Sequence, residues 1–163
     1  MNRIALALGS NLGDRLGNLR KAIRLLKTSG IRITATSDIF ETSPYGKPDQ
    51  PRFLNACAII ETDQDGEELL VLLKDIEKHV GRIERKKWGP REIDIDIIFI
   101  DQKVLESETL HVPHPEMHKR EFVLKPLAQV APDWIHPVLE RTVQEIASEI
   151  TENDISIVRI TRL

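Results

Sequence analysis

Two aspartates stand one residue apart in an apolar stretch, Glu92-Ile93-Asp94-Ile95-Asp96-Ile97-Ile98-Phe99. Because side chains alternate between the two faces of a strand, Asp94 and Asp96 are expected on one face and the isoleucines on the other. A rise of ~3.3 Å per residue separates the two aspartates by about 6.6 Å. That spacing can hold one Mg²⁺ or bridge two, together with substrate phosphates. It is equally compatible with an amphipathic strand that has a solvated acidic face.

A segment rich in basic residues directly precedes this strand. It contains Arg82, Arg85, Lys86, Lys87 and Arg91. Acids that bind a metal next to bases that bind phosphate oxygens are what a polyphosphate–Mg²⁺ complex requires. Trp88, in the same segment, offers a flat ring to a nucleobase or a pterin. A solvated charged loop that pairs with the acids is the alternative, but the combination favours phosphate chemistry.

Three further positions carry polar groups whose role the local sequence leaves open. His114 lies in His111-Val112-Pro113-His114-Pro115, where a histidine is ordinarily only a loop residue. Asn55 lies in an apolar strand and is either a satisfied core amide or a partner for the edge of a heterocycle. The turn Gly9-Ser10-Asn11 could contact phosphate, but a helix N-cap is the better interpretation.

Composition limits the class of protein. The chain has 163 residues, a length that suits one domain over 1–163. Charged residues make up 30% of it, and the net charge of −3 argues against general nucleic-acid binding. The single cysteine, Cys57, lies in an apolar run and is expected in the core. The N-terminus reads as a strand rather than a signal peptide, and no stretch reaches the ~20 apolar residues of a membrane span. We therefore expect a cytoplasmic monomer that binds small molecules.

The hydrophobic pattern predicts a βαββαβ order. The strands are expected near 3–8, 31–41, 53–61 and 93–100, and the helices near 12–27 and 65–80. This order favours an α+β, ferredoxin-like fold, with an antiparallel sheet that carries both helices on one face. The C-terminal extension is predicted to add a short hairpin, helices near 122–130 and 142–150, and an edge strand near 155–160.

Two connections in this core are long and unusual in composition. Residues 43–52 contain three prolines and a tyrosine, and residues 81–91 contain the basic segment. Long connections in a compact domain are more often binding loops or lids than idle connectors. We expect both to be mobile without ligand and to close over bound substrates.

Several blocks together resemble the 6-hydroxymethyl-7,8-dihydropterin pyrophosphokinase family of folate synthesis. The blocks are Ala7-Leu8-Gly9-Ser10-Asn11-Leu12-Gly13, Glu41-Thr42-Ser43-Pro44-Tyr45-Gly46, Gln50-Pro51-Arg52-Phe53-Leu54-Asn55, Lys87-Trp88-Gly89-Pro90-Arg91-Glu92-Ile93-Asp94-Ile95-Asp96, Val112-Pro113-His114-Pro115 and Arg120-Glu121-Phe122-Val123-Leu124-Lys125-Pro126-Leu127. They occur in the family's order over about residues 4–138, and the combination is specific.

The resemblance implies transfer of the β,γ-diphosphate of MgATP to the pterin hydroxyl, with release of AMP. It implies that Asp94 and Asp96 hold two Mg²⁺ ions and act in catalysis with Arg82 and Arg91. The residues implied for ATP binding are Glu77, Arg82, Trp88, Arg91, Ile97, His111, His114 and Arg120. Those implied for pterin binding are Thr42, Pro44, Tyr45, Phe53, Asn55 and Phe122, with the two phenylalanines on either side of the ring. Which of Arg85, Lys86 and Lys87 contacts phosphate stays open.

Two other classes compete with this interpretation. A ferredoxin-like RNA-binding module would carry paired aromatics on the sheet face, whereas this sequence places Asp94 and Asp96 there. A catalytically inactive domain that only senses nucleotide would retain the charged residues. Formation of AMP that depends on the pterin distinguishes the enzyme from both.

Overall fold

The fold is an antiparallel sheet with helices on both faces. The computed structural model describes residues 1–43, 49–85, 89–150 and 157–163. The strands are β1 Asn2–Ser10, β2 Arg32–Thr36, β3 Asp38–Thr42, β4 Phe53–Thr62, β5 Asp94–Ile100, β6 Leu105–Glu106, β7 His111–Val112 and β8 Ile157–Arg162. The helices are α1 Arg15–Thr28, α2 Gly66–Val80, α3 Glu121–Val130 and α4 Val143–Glu149, with a 3₁₀ turn at Met117–Lys119.

The main sheet has the order β5-β1-β4-β3-β8, and β2 also pairs with β4. Strand β1 therefore lies between β4 and β5, antiparallel to both. This arrangement confirms the ferredoxin-like prediction, and β8 confirms the predicted edge strand, which pairs with β3. The short β6–β7 pair confirms the predicted hairpin.

Each face of the sheet has its own hydrophobic core. On one face, α1 and α2 contribute Leu19, Leu26 and Leu73 to a core that also contains three isoleucines of β5, namely Ile95, Ile97 and Ile100. On the other face, α3 and α4 contribute Leu127 and Ile146, and the core there also contains Cys57, as predicted. The C-terminal extension thus covers the sheet face that the two core helices leave open.

The predicted alternation along β5 holds at its start. Ile93 and Ile95 are at most 2% exposed, while the side chains of Asp94 and Asp96 keep 25% and 36% of their surface. Beyond Asp96 the pairing register with β1 shifts, and Ile98 and Phe99 both enter the α3–α4 core. The sheet face that carries the two aspartates is therefore polar at the start of β5, while α3 and α4 cover the later part of the strand.

Two details differ from the predictions. The strand expected at 31–41 is interrupted at Ser37, whose hydroxyl accepts a hydrogen bond from the Cys57 backbone N–H (2.8 Å) and donates one to the Asp38 carbonyl (2.7 Å). The prediction that the turn Gly9-Ser10-Asn11 caps α1 is wrong, since Asp14 is the N-cap and accepts from the Gly17 N–H. At the start of α2, Asp65 and Glu68 form a capping box. Among the described residues, no helix combines the length and apolar character needed to cross a bilayer.

Candidate active site

A cleft lies where β1, β4 and β5 meet the start of α3. Its walls bring together predicted site residues that are far apart in the sequence: Thr42, Phe53, Asn55, Arg91, Asp94, Asp96, Arg120 and Phe122. Ala7, Leu8, Gly9, Ser43 and Val123 complete the lining. Residues predicted for the pterin and for phosphate therefore share one cavity.

The sheet register explains why these two groups adjoin. Gly9 of β1 lies directly opposite Asn55 of β4 on one side and Asp94 of β5 on the other. Directly opposed residues share a face of a sheet, with neighbouring strands ~4.8 Å apart. Gly9 thus separates the amide from the carboxylate across the sheet. A Cβ atom at Gly9 would lie 2.8 Å from the Asn55 Oδ1, which explains why glycine occupies this position.

The pterin side of the cleft is built by packing and one buried hydrogen bond. Asn55 Nδ2 donates to Thr42 Oγ1 at 2.7 Å, and both residues are buried. Phe53 is also buried, and the Arg91 guanidinium lies 4.8 Å from its ring centroid. Phe122, at the start of α3, has Arg120 5.7 Å from its ring. This side presents an amide and two aromatic rings to the cavity.

Basic residues surround Asp94. Arg82 Nη1 lies 3.0 Å from Asp94 Oδ1, and Arg91 Nε lies 3.5 Å from Asp94 Oδ2. Arg82 is in turn held by Glu77 of α2, at 3.2 Å, and by the Ile93 carbonyl, at 3.3 Å. Glu77 is buried and also accepts the Ile95 N–H at 2.7 Å, so that it fixes Arg82 and β5 together.

The surroundings of Asp96 differ from those of Asp94. His114 Nε2 lies 4.0 Å from Asp96 Oδ2, and the charge of Arg120 also acts on this carboxylate. Burial, and then the charge of Asp94, raise the pKa of Asp96 well above its usual range. Burial and the Asp94 charge also raise the pKa of Glu77. Asp94, Asp96 and Glu77 thus form a close group of acids, and a further cation would stabilise this group.

His114 is a neutral donor at neutral pH. Burial, and then the charge of Arg120, lower the pKa of His114 to about 4. Its Nδ1 accepts the Glu116 N–H at 3.2 Å, which leaves the proton on Nε2, the nitrogen that faces Asp96. The His114 backbone N–H donates to Ile98, which anchors the loop to β5.

The basic segment is anchored by Glu92. Arg85 Nη1 and Nη2 each lie 2.8 Å from one oxygen of Glu92. These hydrogen bonds lower the pKa of Glu92 to about 2. Of the three bases considered for phosphate, Arg85 is therefore held by a carboxylate, while Lys86 and Lys87 lie outside the described residues.

The remaining predicted residues lie away from the cleft walls or outside the description. Ile97 is buried against the α1–α2 core, on the strand face opposite Asp96, and Glu77 lies behind Arg82. His111 is exposed on β7 and pairs with Glu106. Pro44, Tyr45 and Trp88 lie outside the described residues. So do residues 44–48 and 86–88 of the two connections that were predicted to close over substrates. Their roles stay predictions.

Sequence reasoning missed Asn11 and Glu92 as contributors to the site. Asn11 is 1% exposed and hydrogen-bonds to Gln50, Pro51 and Arg91, which lie 39 to 80 residues further along the chain. No local pattern reports contacts of that range. Glu92 was visible as an acid beside a basic segment, which was the only available signal.

Comparison with known proteins agrees with this site. A model of the 7,8-dihydro-6-hydroxymethylpterin-pyrophosphokinase (HPPK) family matches residues 5–132. The 2-amino-4-hydroxy-6-hydroxymethyldihydropteridine pyrophosphokinase of Aquifex aeolicus is 41% identical over 151 residues, which cover 93% of this chain and 94% of that protein. The Bacillus subtilis enzyme of the same name is 46% identical over 132 residues, or 80% and 79% of the two chains.

Some relatives are much longer. The Pneumocystis carinii folic acid synthesis protein fol1 is 40% identical over 93% of this chain, which spans only 20% of its length. Crystal structures of Plasmodium falciparum HPPK-DHPS share the fold, one with a TM-score of 0.73 at 20% identity, over 91% of this chain and 41% of that one. The family match over most of the sequence, together with near-full-length relatives above 40% identity, places this chain in the 7,8-dihydro-6-hydroxymethylpterin-pyrophosphokinase family.

Proposed function

We propose that the two sides of the cleft bind the two substrates of the family's reaction. This reaction transfers pyrophosphate from ATP to 6-hydroxymethyl-7,8-dihydropterin in folate biosynthesis, and membership of the family assigns it to this chain. The observation that carries the division of the cleft is its chemistry. An amide and two aromatic rings line one side, while a carboxylate pair flanked by arginines lines the other.

The pterin side would hold a flat heterocycle. Thr42 fixes the orientation of the Asn55 amide, whose donor and acceptor match the hydrogen-bonding edge of a pterin. Phe53 and Phe122 would contact the two faces of the ring. Since Asn55 and Asp94 lie on either side of Gly9 and both line the cleft, the hydroxymethyl group would extend along the sheet toward Asp94.

The phosphate side would hold the ATP polyphosphate. Arg82, Arg91 and Arg120 supply positive charge around Asp94 and Asp96. The neutral His114 adds an Nε2–H donor beside them. Trp88, Glu77, Ile97 and His111 remain the residues proposed to surround the nucleoside.

Asp94 and Asp96 fit a magnesium site. Their oxygens are hard ligands, both line the cleft, and burial followed by the charge of Asp94 raises the pKa of Asp96, so that a bound cation would favour its ionised form. Within the described parts of the chain, no group of three or more His, Cys, Asp or Glu side chains is arranged to hold a metal. Two carboxylates would therefore share the ions with substrate oxygens, and we propose two ions. Mg²⁺ would supply charge neutralisation of the phosphates and Lewis-acid activation of the oxygens that it contacts.

The chain's own residues would act by positioning and charge stabilisation. Asn55, Phe53 and Phe122 hold the pterin so that its hydroxyl oxygen faces the β-phosphorus of ATP. As the new oxygen–phosphorus bond forms, the bond from the β-phosphorus to the α,β-bridging oxygen breaks and AMP leaves, while the hydroxyl proton passes to water. Arg82 and Arg91 stabilise the charge that accumulates on the phosphate oxygens. No described side chain is assigned as the base.

Three properties of the molecule complete the proposal. We propose one domain over 1–163, a monomeric state and a cytoplasmic location. The reduced, buried Cys57 is in keeping with a reducing compartment. Size-exclusion chromatography with light scattering measures the oligomeric state directly.

Incubation with MgATP and 6-hydroxymethyl-7,8-dihydropterin, followed by chromatography of the nucleotides, tests the function. We expect AMP in an amount equal to the pterin diphosphate formed. Reactions without the pterin, or with chelator in place of Mg²⁺, should give none. Retained nucleotide binding without pterin-dependent AMP would indicate a sensing domain and contradict the proposal.

A further inference from the structure

Asn11 connects the two segments that carry the substrate-binding residues. Its Nδ2 donates to Gln50 Oε1 at 2.7 Å and to the Pro51 carbonyl at 3.0 Å, at the end of the connection that leads into Phe53. Its Oδ1 accepts the Arg91 N–H at 2.8 Å, and its own N–H donates to the Arg91 carbonyl at 3.1 Å. One buried amide therefore joins the pterin-side segment to the phosphate-side segment.

Arg91 extends this link to the reacting groups. Its backbone is fixed by Asn11 on both its N–H and its carbonyl, so its Cα position depends directly on that residue. Its side chain lies 3.5 Å from Asp94 and 4.8 Å from the Phe53 ring. If Arg91 moves when phosphate binds, both Asn11 and the Phe53 ring on the pterin side of the cleft must therefore adjust.

Packing leaves little freedom for Asn11 to adjust independently. It is 1% exposed and follows directly on β1, whose Gly9 is paired with Asn55 and Asp94. Movement on one side of this residue must be accommodated on the other, since four hydrogen bonds share one rigid amide and its backbone.

We propose that Asn11 is a positioning residue that couples the two substrate sites. It transmits nucleotide binding at the Arg91 side to the Gln50–Pro51 side, and it thereby raises the affinity for the pterin when nucleotide is bound. Because coupling is reciprocal, bound pterin raises nucleotide affinity by the same factor. This inference rests on the proposed function, since it requires both substrates in the cleft, but it assigns a role to a residue that does not line the cleft.

Asn11→Asp separates coupling from simple structural support. The substitution keeps an oxygen that accepts the Arg91 N–H, and it replaces the Nδ2 donor with an acceptor that faces the oxygens of Gln50 and Pro51. The pterin-side connection is lost while the phosphate-side connection stays. The measured quantity is the pterin Kd without nucleotide divided by the Kd with a non-hydrolysable MgATP analogue, obtained by calorimetric titration.

Asn18→Asp is the matched control. The Asn18 Nδ2 also binds this turn, through Ser10 Oγ (3.3 Å), the Leu12 carbonyl (3.0 Å) and the Glu92 carbonyl (3.0 Å), and none of these partners belongs to the pterin-side connection. We expect Asn11→Asp to lower the ratio of the two Kd values by about fivefold or more, within the range of typical coupling factors. Asn18→Asp should lower the melting temperature but leave the ratio unchanged.

Several outcomes would overturn the inference. One is a folded Asn11→Asp protein that keeps the wild-type ratio, and another is a wild-type ratio of one in a protein that makes AMP. A wild-type protein that makes no AMP refutes the proposed function instead, so the two failures are distinct. If Asn11→Asp does not fold, Gln50→Leu removes the same side-chain acceptor from a partly exposed position, and an unchanged ratio in that variant refutes the coupling.

Discussion

The two sides of the cleft are stabilised by different physical means. The pterin side consists of Thr42, Asn55 and Phe53, which are buried, and none of them titrates near neutral pH. The phosphate side consists of acids and bases whose close partners are each other, with Asp94 between Arg82 and Arg91 and Asp96 near His114. The pterin side is therefore formed by packing before ligand arrives, whereas the phosphate side is a balance of charges that the ligand must change.

This difference predicts different responses to substitution. On the packed side, removal of a side chain leaves a cavity or an unmet hydrogen bond, which affects one ligand. On the charged side, removal of one charge alters all of its neighbours, so the ligand-free protein can gain stability while the reaction is lost. Function and stability should move together on the first side and in opposite directions on the second.

The largest expected effect is that of Asp96→Asn. We expect the rate to fall by about 100-fold or more, because the amide keeps the shape of the side chain but loses the charge that Mg²⁺ requires. The melting temperature of the ligand-free protein in chelator should stay equal or rise, because repulsion between Asp94 and Asp96 is relieved. Pterin-dependent AMP release and thermal unfolding, on one preparation, measure both.

Glu108→Gln provides the control for Asp96→Asn. Glu108 is an exposed acid in the segment between β6 and β7, so its loss changes the net charge equally without touching the cleft. This variant should keep wild-type turnover. A folded Asp96→Asn enzyme with wild-type turnover would show that the acid pair is only a solvated face.

Phe122→Ala should have a smaller and more selective effect. Loss of the ring removes apolar contact area from the pterin side, so pterin affinity should fall about tenfold or more. The affinity for the MgATP analogue should stay within about twofold, and Phe122→Tyr, which keeps the ring, should bind pterin nearly as the wild type does. Calorimetric titration with each ligand decides this, and an equal loss for both ligands would mean that Phe122 holds the whole site together.

The smallest effect concerns pH and the anchor of the basic segment. The pKa of Glu92 is lowered from 4.5 to about 2 by Arg85, so the folded protein binds fewer protons here than the unfolded chain between these values. The stabilisation is fully present above pH 4.5 and is lost as the pH falls toward 2. Between pH 4.5 and pH 2, Glu92→Gln should therefore reduce the slope of unfolding free energy against pH. The reduction should correspond to at most one proton taken up on unfolding.

Denaturant unfolding from pH 5 to pH 2 measures this slope. Asn55→Ala is the contrast on the packed side, since it removes no titrating group and should lower stability by a similar amount at every pH. If unfolding free energy depends on pH with the same slope in the wild type and in Glu92→Gln, the Arg85–Glu92 pair contributes no pH-dependent stability.

Much of the fold followed from local patterns. Alternation in β5 and helical spacing in α2 reflect which face is buried, and the α2 capping box is a contact between near neighbours. The interruption at Ser37 escaped prediction because its hydroxyl bonds to Cys57, which lies 20 residues away on another strand. The assignment of Asn11 as a helix cap failed for the same reason, since its partners lie in distant segments.

By itself, the sequence determined the types of group in the site and the acidic pair, because residue identity and strand alternation are local properties. Only the tertiary structure decided which groups meet. The pairing of Gly9 with both Asn55 and Asp94 sets the pterin amide beside the phosphate acids, burial lowers the pKa of His114 so that it is a neutral donor, and burial together with the charge of Asp94 raises the pKa of Asp96. Strand register and desolvation depend on the whole chain, since each is the sum of contacts that no short segment contains.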